Sequence, residues 1–333
     1  SHIFASIMRV HFIAVGGAVM HNLAIALHKE GYKVSGSDDE IFEPSRSRLD
    51  RYGLLPDHEG WDPTRITPDL DTVILGMHAR EDNPELKQAR QLGLQIQSFP
   101  EFLFEQTRNK TRVVIGGSHG KTTITSMIMH VLRFHDVSFD YMVGSIVDGF
   151  ETMVGLSEAS EIAVFEGDEY LSSALDRRPK FHLYKPHISL ISGIAWDHMN
   201  VFPTYENYLD QFRIFIDKTE VGGSLVYSGD DTEVSKLVKS SGRLLDYVPY
   251  REHANRIRNG ETFLLADDRE HPVSVFGRHN MQNINGARLI CEMLGKDAEP
   301  FYPAKQSFSM TGKRKQYLEK NSEIFSIVII HDS

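Results

Sequence analysis

Cysteine is almost missing from this chain. Cys291 is the one thiol in 333 residues, which excludes a disulfide framework and a cysteine-rich zinc site. Long apolar runs are missing as well: no stretch approaches the ~18 consecutive apolar residues of a membrane-spanning helix, so no membrane insertion is expected. Positive charge is in deficit. Against 46 Asp and Glu stand 36 Lys and Arg, a net charge of −10, so general affinity for nucleic-acid backbones or anionic membranes is not expected. Any anionic ligand must then be held by a local device. The segment Ser1 to Ile7 lacks the basic start and small-residue cleavage site of a signal peptide; it reads as an upstream extension or as added residues, with a natural start at Met8, and the expected location is cytoplasmic.

What is present is the material of an ordinary globular protein, 41% hydrophobic and 25% charged, at a length that suggests about two domains. Arg9 to Val15 is a nearly continuous apolar run, the pattern of a strand buried on both faces. Helical spacing follows from Leu23 to Leu27, then strands at Lys33 to Gly36 and Thr72 to Leu75, with helices at Ser45 to Tyr52 and Asn83 to Leu92 and a strand at Gln95 to Gln97. Glu105 to Thr111 reads as a linker. A second alternation opens with the strand Arg112 to Ile115 and continues with strands at Ile162 to Phe165, His187 to Ser192 and Ser224 to Tyr227. Helices are expected at Tyr205 to Asp217 and Asn280 to Leu294, on either side of a β-rich stretch from Phe263 to Phe276. Alternation of this kind predicts α/β units with doubly wound parallel sheets. Phe325 to Ile330 is a strong β run close to Ser333; a buried-type strand needs neighbours on both sides, so the expectation is the first piece of a severed third domain rather than an added edge strand.

The most specific motif is Gly116-Gly117-Ser118-His119-Gly120-Lys121-Thr122-Thr123, directly after a strand and before a helical stretch. Glycines let backbone N–H groups curl around phosphate oxygens, and the helix start adds a favourable dipole. Lys121 can reach the β- and γ-phosphates, and a hydroxyl of Thr122 or Thr123 can ligate Mg²⁺. Ile115 stands where the first glycine of the general pattern would be. The reading is an ATP site. Gly16-Gly17-Ala18 meets no register of the dinucleotide fingerprint, although Asp38 lies where a ribose-binding acid would fall. That turn binds a pyrophosphate or is only a tight strand-to-helix connection.

Two acidic groupings follow predicted strands, Glu166-Gly167-Asp168-Glu169 and Trp196-Asp197-His198, at the sheet edge where α/β sites gather. Residue chemistry alone would not choose His198, since imidazole is not a usual magnesium ligand. A further motif is Gly277-Arg278-His279-Asn280-Met281-Gln282-Asn283.

In this order, these four motifs resemble the Mur ligases, the ATP-dependent amide-forming enzymes of peptidoglycan synthesis. The stretch His11 to Met20, with Ser35-Gly36-Ser37-Asp38, is similar to members that take UDP-N-acetylmuramate itself. Gly167 to Tyr170 and Asp176 to Phe181 resemble the member that joins it to the tripeptide L-Ala-γ-D-Glu-meso-diaminopimelate; the next nearest member joins it to L-alanine. The resemblance implies a Rossmann-like UDP-sugar domain over residues 8–107, a central P-loop ATP domain over 108–304, and a hinge and first strand of a truncated ligase domain over 305–333. It implies that Gly117, Ser118, His119, Gly120, Lys121, Thr122 and Thr123 hold ATP with His279, Asn280 and Asn283, and that Arg314 adds a hinge contact. Lys313 to Lys315 would equally suit a solvated charge run, and Asn280 a helix cap. The family pattern further assigns Mg²⁺ to Thr122, Glu166 and His198, catalysis to Lys121, Glu166 and His198, and the UDP-sugar to Gly16, Gly17, Ala18, Met20, Ser37 and Asp38. Asp332 resembles the aspartate that begins the amine-binding domain; without that domain the chain by itself is expected not to ligate. Ser118 replaces the family's usual threonine and Gly167 an alanine. The expected partners are UDP-N-acetylmuramate and an amino acid or peptide, and the expected state is a monomer or weak homodimer. A non-catalytic ATP-binding regulator is the alternative from another class. A folylpolyglutamate-synthetase-type ligase is disfavoured by the N-terminal nucleotide-type unit, and a dehydrogenase would rest on the broken fingerprint alone.

Overall fold

Strands that are apolar on both faces must be covered on both faces, and the chain does this in two α/β units. The computed structural model describes residues 6–173, 175–196, 200–266, 268–273 and 277–297. Asp197, His198, Gly312 to Lys315 with Arg314, Phe325 to Ile330 and Asp332 lie outside the described residues. The first unit takes in the chain to Lys110 together with Phe139–Ala163 and Asp168–Lys185; the second takes in Thr111–Ser138, Val164–Gly167 and the chain from Pro186 onward.

In the first unit, β1 (Arg9–Ile13), α1 (Ala18–Lys29), β2 (Lys33–Ser37), α2 (Ser45–Arg51), β3 (Thr72–Leu75), α3 (Pro84–Gln91), β4 (Ile96–Gln97) and α4 (Phe99–Gln106) follow one another. The four strands form a parallel sheet in the order β2-β1-β3-β4. Ile13, Val73, Leu75 and Leu86 pack in its core with Ile66. Asn83 caps α3 by accepting from the N–H groups of Glu85 (2.9 Å) and Leu86 (3.1 Å). Helix α4 occupies part of the expected linker. It starts at a capping box in which the Glu101 N–H donates to Ser98 Oγ (3.3 Å) and the Ser98 N–H to Glu101 Oε1 (3.1 Å). The later segment of this unit carries β6 (Phe139–Met142) and β7 (Val154–Gly155), an antiparallel pair that the periodicity did not reveal. Asn22 of α1 ties that segment down: its Oδ1 accepts from both Arg48 Nη2 and the Met153 N–H, each at 2.9 Å.

The second unit opens with β5 (Thr111–Gly116) and α5 (Lys121–Phe134), then β8 (Ile162–Glu166), β9 (Ile188–Ile191), α6 (Tyr205–Lys218), β10 (Ser224–Ser228), α7 (Thr232–Ser240) and β11 (Asp246–Tyr250). Its strands run in the order β11-β10-β9-β5-β8, with β11, β10, β9 and β5 parallel. In α6 the residues Tyr208, Leu209, Phe212, Phe215 and Ile216 are buried, an i, i+1, i+4, i+7, i+8 stripe in which each large side chain contributes roughly 2 kcal/mol by burial. The β-rich stretch is a three-stranded antiparallel sheet of β12 (Asn255–Arg258), β13 (Glu261–Ala266) and β14 (Arg269–Val273), and α8 (Arg278–Asp297) follows. Among the described residues no helix is long and apolar enough to cross a membrane.

Cys291 sits fully inside this unit on α8, where burial raises its thiol pKa to about 12. It should therefore resist a thiol reagent at about pH 8 in the native chain and react within minutes once denatured. Fast native labelling would contradict this packing.

Candidate functional site

The loop between β5 and α5 takes its shape from two glycines. Gly117 has φ +125° and Gly120 φ +75°, backbone conformations that favour glycine. Neither has space for a side chain: a Cβ on Gly117 would lie 2.1 Å from Ser192 Oγ, and one on Gly120 would lie 2.6 Å from Asn283 Oδ1. The end of β9 holds the loop from behind. Ser192 N–H donates to Gly116 O (3.0 Å), Ser118 N–H donates to Gly193 O (2.9 Å), and Ser192 Oγ donates to His119 O. Gly120 precedes α5 without a side-chain cap, so the helix start offers backbone N–H groups and its dipole to an anion.

Lys121 is the first residue of α5 and is half-buried, as are Thr122 and Thr123. Thr122 is the threonine that meets an acid: its Oγ1 donates to Glu166 Oε1 at 2.9 Å. Glu166 is the last residue of β8 and is 9% exposed, and the next N–H, that of Gly167, donates to Ile115 O (2.7 Å). Thr122 and Glu166 together present only oxygen donors, the set that suits a hard cation such as Mg²⁺. Among the described residues there is no group of three or more His, Cys, Asp or Glu side chains that could hold a metal alone.

The first turn of α8 reaches the same loop. His279 sets its ring edge-on to His119 at 5.7 Å, and Asn283, buried, packs against Gly120. Asn280 lies inside this first turn and is half-buried; α8 begins before it, at Arg278. Partial burial lowers the His119 pKa first, and the charges of His279 and Lys121 lower it further against the pull of Asp231.

Two aspartates that the sequence reading passed over complete this edge. Asp231 Oδ2 accepts from the Ile194 N–H (3.2 Å) while its Oδ1 caps α7 through the Val234 N–H (3.0 Å). Asp230 accepts from Arg278 Nη2 (3.0 Å), from Gln282 Nε2 (3.3 Å) and from Arg251, and these partners, Arg278 foremost, hold its carboxyl below the usual range. Their signal was an Asp-Asp pair directly after a predicted strand, since aspartate is a favoured residue at a helix start.

In the first unit, Gly16, Gly17, Ala18, Ser37 and Asp38 meet around the end of β1. Ala14 has φ +73°, and the N–H groups of Ala14 and Val15 both donate to Ser37 O (2.9 and 3.0 Å). Asp38 Oδ2 accepts from the Gly16 N–H at 2.8 Å and its Oδ1 from the Asp39 N–H at 2.9 Å. Burial raises the Asp38 pKa, with those two hydrogen bonds opposing. Asp38 thus binds the loop itself. Ser37 is fully buried and its Oγ accepts from Arg65 Nη1 (2.8 Å). Met20 is buried beneath Gly17, while Ala18 is exposed at the start of α1.

Residues 115–291 match the model of the Mur ligase middle domain, and residues 9–111 match that of the Mur ligase family catalytic domain. The chain is 28% identical over 330 residues to the UDP-N-acetylmuramate–L-alanine ligase of Carboxydothermus hydrogenoformans, covering 92% of this chain and 68% of that protein. It is 26% identical over 334 residues to the UDP-N-acetylmuramate–L-alanyl-γ-D-glutamyl-meso-2,6-diaminoheptanedioate ligase of Haemophilus influenzae, covering 97% and 72%. In fold it is similar to the crystal structure of the UDP-N-acetylmuramate:L-alanyl-γ-D-glutamyl-meso-diaminopimelate ligase of Neisseria meningitides, with TM-score 0.76 and 23% identity, covering 87% of this chain and 94% of that one.

Two outcomes follow from this geometry. Gly117→Ala adds a methyl group against Ser192 at a positive φ, so it should cost the chain about 1–3 kcal/mol and weaken nucleotide binding more than tenfold. Melting together with titration calorimetry would check both; unchanged affinity would contradict the close approach. His119 has a folded pKa below its ordinary 6.5, so the unfolded chain binds more protons in that window. Its contribution to stability is present above 6.5 and is lost as pH falls towards the folded value. Without nucleotide, His119→Asn should lose less melting temperature than the parent between about pH 7 and about pH 5.5. Equal losses would contradict the shift.

Proposed function

The chain belongs to the Mur ligase family, and from that premise we propose that it acts as an ATP-dependent amide ligase of peptidoglycan synthesis, on the lactyl carboxylate of UDP-N-acetylmuramate. One observation carries the reading: a glycine-shaped anion loop, Lys121, and the Thr122–Glu166 contact share one edge of the second unit's sheet. A carboxylate is a poor electrophile, and ATP converts it to an acyl phosphate whose carbon an amine can attack. In this proposal the backbone N–H groups of Gly117 to Lys121 bind the phosphates and Lys121 stabilises charge on the transferring phosphoryl group. Thr122 and Glu166 would hold Mg²⁺, which when bound screens the two anions that must meet. His279 and Asn283, which border the loop, would be adenosine contacts together with Asn280. His198 and Arg314 keep the roles that the resemblance implies. The carboxylate oxygen bonds to the γ-phosphorus as ADP leaves; the amine then bonds to the acyl carbon as phosphate leaves.

The first unit would take the UDP group at the turn Gly16-Gly17-Ala18, where α1 starts. For the amine we take the tripeptide, on the resemblance of Gly167 to Tyr170 and Asp176 to Phe181. In that segment Lys180 pairs with Asp168 (3.2 Å) and Arg178 with Asp176 (2.6 Å), so the loop is held by its own charges. L-Alanine is the second reading, since a relative named for it matches as well as one named for the tripeptide.

In the complete protein that carries this sequence, Lys121→Ala should lower ATP-dependent ligation by about two orders of magnitude or more, with UDP-N-acetylmuramate binding retained. Near-normal turnover would sink the site. Parallel assays with L-alanine and with the tripeptide should give turnover with the tripeptide; turnover with L-alanine alone would select the second reading.

A further inference from the structure

Ser118 stands inside the anion loop, yet its hydroxyl has no capacity left for a phosphate. It donates its one proton to Ala195 O (3.0 Å), accepts from the Ala195 N–H (2.8 Å), and lies 2.7 Å from the Tyr208 hydroxyl. A serine hydroxyl offers one donor and two acceptor sites. With its proton on Ala195 O, the Tyr208 hydroxyl is the donor of the third bond and the oxygen is saturated.

Tyr208 cannot easily turn away. It is fully buried on α6, between the rings of Phe202 (5.5 Å) and Phe212 (5.2 Å, edge-on). The loop and the end of β9 are joined beside it by Ser118 N–H to Gly193 O (2.9 Å) and Ser192 N–H to Gly116 O (3.0 Å). The backbone bonds fix one side of the loop, and the Ser118 hydroxyl fixes the other through a side chain of α6.

We propose that Ser118 is a positioning residue. Through Tyr208 and Ala195 it holds the loop in its anion-binding shape before nucleotide arrives, while its side chain makes no contact with phosphate. This rests on the reading of the loop as the Mg-ATP site. The physical effect is preorganisation. A loop already held in shape loses little freedom on binding, whereas a released loop must be ordered at the expense of affinity.

The test measures binding of a non-hydrolysable ATP analogue with Mg²⁺ to the 333-residue chain by titration calorimetry, alongside melting without nucleotide. Tyr208→Phe removes one hydroxyl and leaves the ring, and it should weaken binding by about three- to tenfold. Ser118→Ala removes the acceptor of the Ala195 N–H and the serine partner of the Tyr208 hydroxyl, and it should weaken binding about tenfold or more. The double variant should bind no worse than Ser118→Ala alone, because the two hydroxyls act through one contact. Ser118→Thr keeps the hydroxyl and should bind within about threefold of the parent. Lys121→Ala serves as the control for the site. If Lys121→Ala loses binding while Tyr208→Phe and Ser118→Ala bind like the parent, the positioning role is overturned and the ATP site stands. Lower melting temperatures with unchanged affinity, or additive losses in the double variant, overturn it likewise. Unchanged binding by Lys121→Ala would overturn the ATP-site reading on which the proposal rests.

Discussion

Gly117 and Ser192 lie closer together than two side chains can, and the functional edge of the second unit is organised around that approach. It is possible because β5 and β9 are parallel neighbours in one register, with Gly116 beside Ile191, and β9 is in turn aligned with β10, with Ile191 beside Tyr227. The residues just beyond each strand therefore emerge at nearly the same level: the glycine loop after β5, Ser192 to Ala195 after β9, and Asp230 and Asp231 just beyond β10. Glu166 closes the row, since the N–H that follows it donates to Ile115 O on β5. A slip of one residue in any of these pairings would turn every side chain to the other face and separate the groups.

The first unit solves a similar problem with a carboxylate. Ile13 pairs with Ser37, so the loop leaving β1 and the residue leaving β2 are side by side, and Asp38 bonds the Gly16 N–H across that gap. Beneath them His11 and Glu85, both fully buried, pair at 2.6 Å, and Glu85 also accepts from the Asp62 N–H (3.0 Å). Buried pairs of this kind are weak sources of net stability, because desolvation offsets much of their attraction. Their effect here is geometric: β1, α3 and the segment around Asp62 have one arrangement in which neither buried side chain loses its partner.

Much of this was legible before the structure. Strands at Thr72–Leu75 and Ser224–Ser228 announce themselves because parallel strands are apolar on both faces, and helix α3 because Asn83 and Pro84 are a cap and a first helical residue. The glycine loop was legible because its backbone geometry restricts residue types. Helix α4 was not, since Phe99 and Pro100 disguise an eight-residue helix whose real marker is the Ser98–Glu101 box. The β6–β7 pair hid for a different reason. Val154–Gly155 is two residues long, too short for any period to register, and its place is set by distant contacts such as Asn22 with Met153. Tyr208 was equally hidden: sequence pattern identifies it as part of a buried stripe but cannot reveal that its hydroxyl meets Ser118.

The acidic balance of the chain poses a last physical question, because Glu166, Asp230 and Asp231 stand on the edge proposed to receive a polyphosphate. Bare carboxylates there would repel it, at several kcal/mol per close pair in a partly buried setting. None of the three is bare. Asp231 spends one oxygen on the Ile194 N–H and the other on the Val234 N–H. Asp230 is neutralised by Arg251 and Arg278, and Glu166 faces the Thr122 hydroxyl. The first two carboxylates are thus structural fasteners whose charge is answered locally. On the proposed reading, Glu166 is the one that meets the divalent cation arriving with the nucleotide. An edge built in this way can receive an anion in spite of a net charge of −10, because the field a phosphate would meet is set by the nearest N–H groups and Lys121 rather than by the sum over the surface.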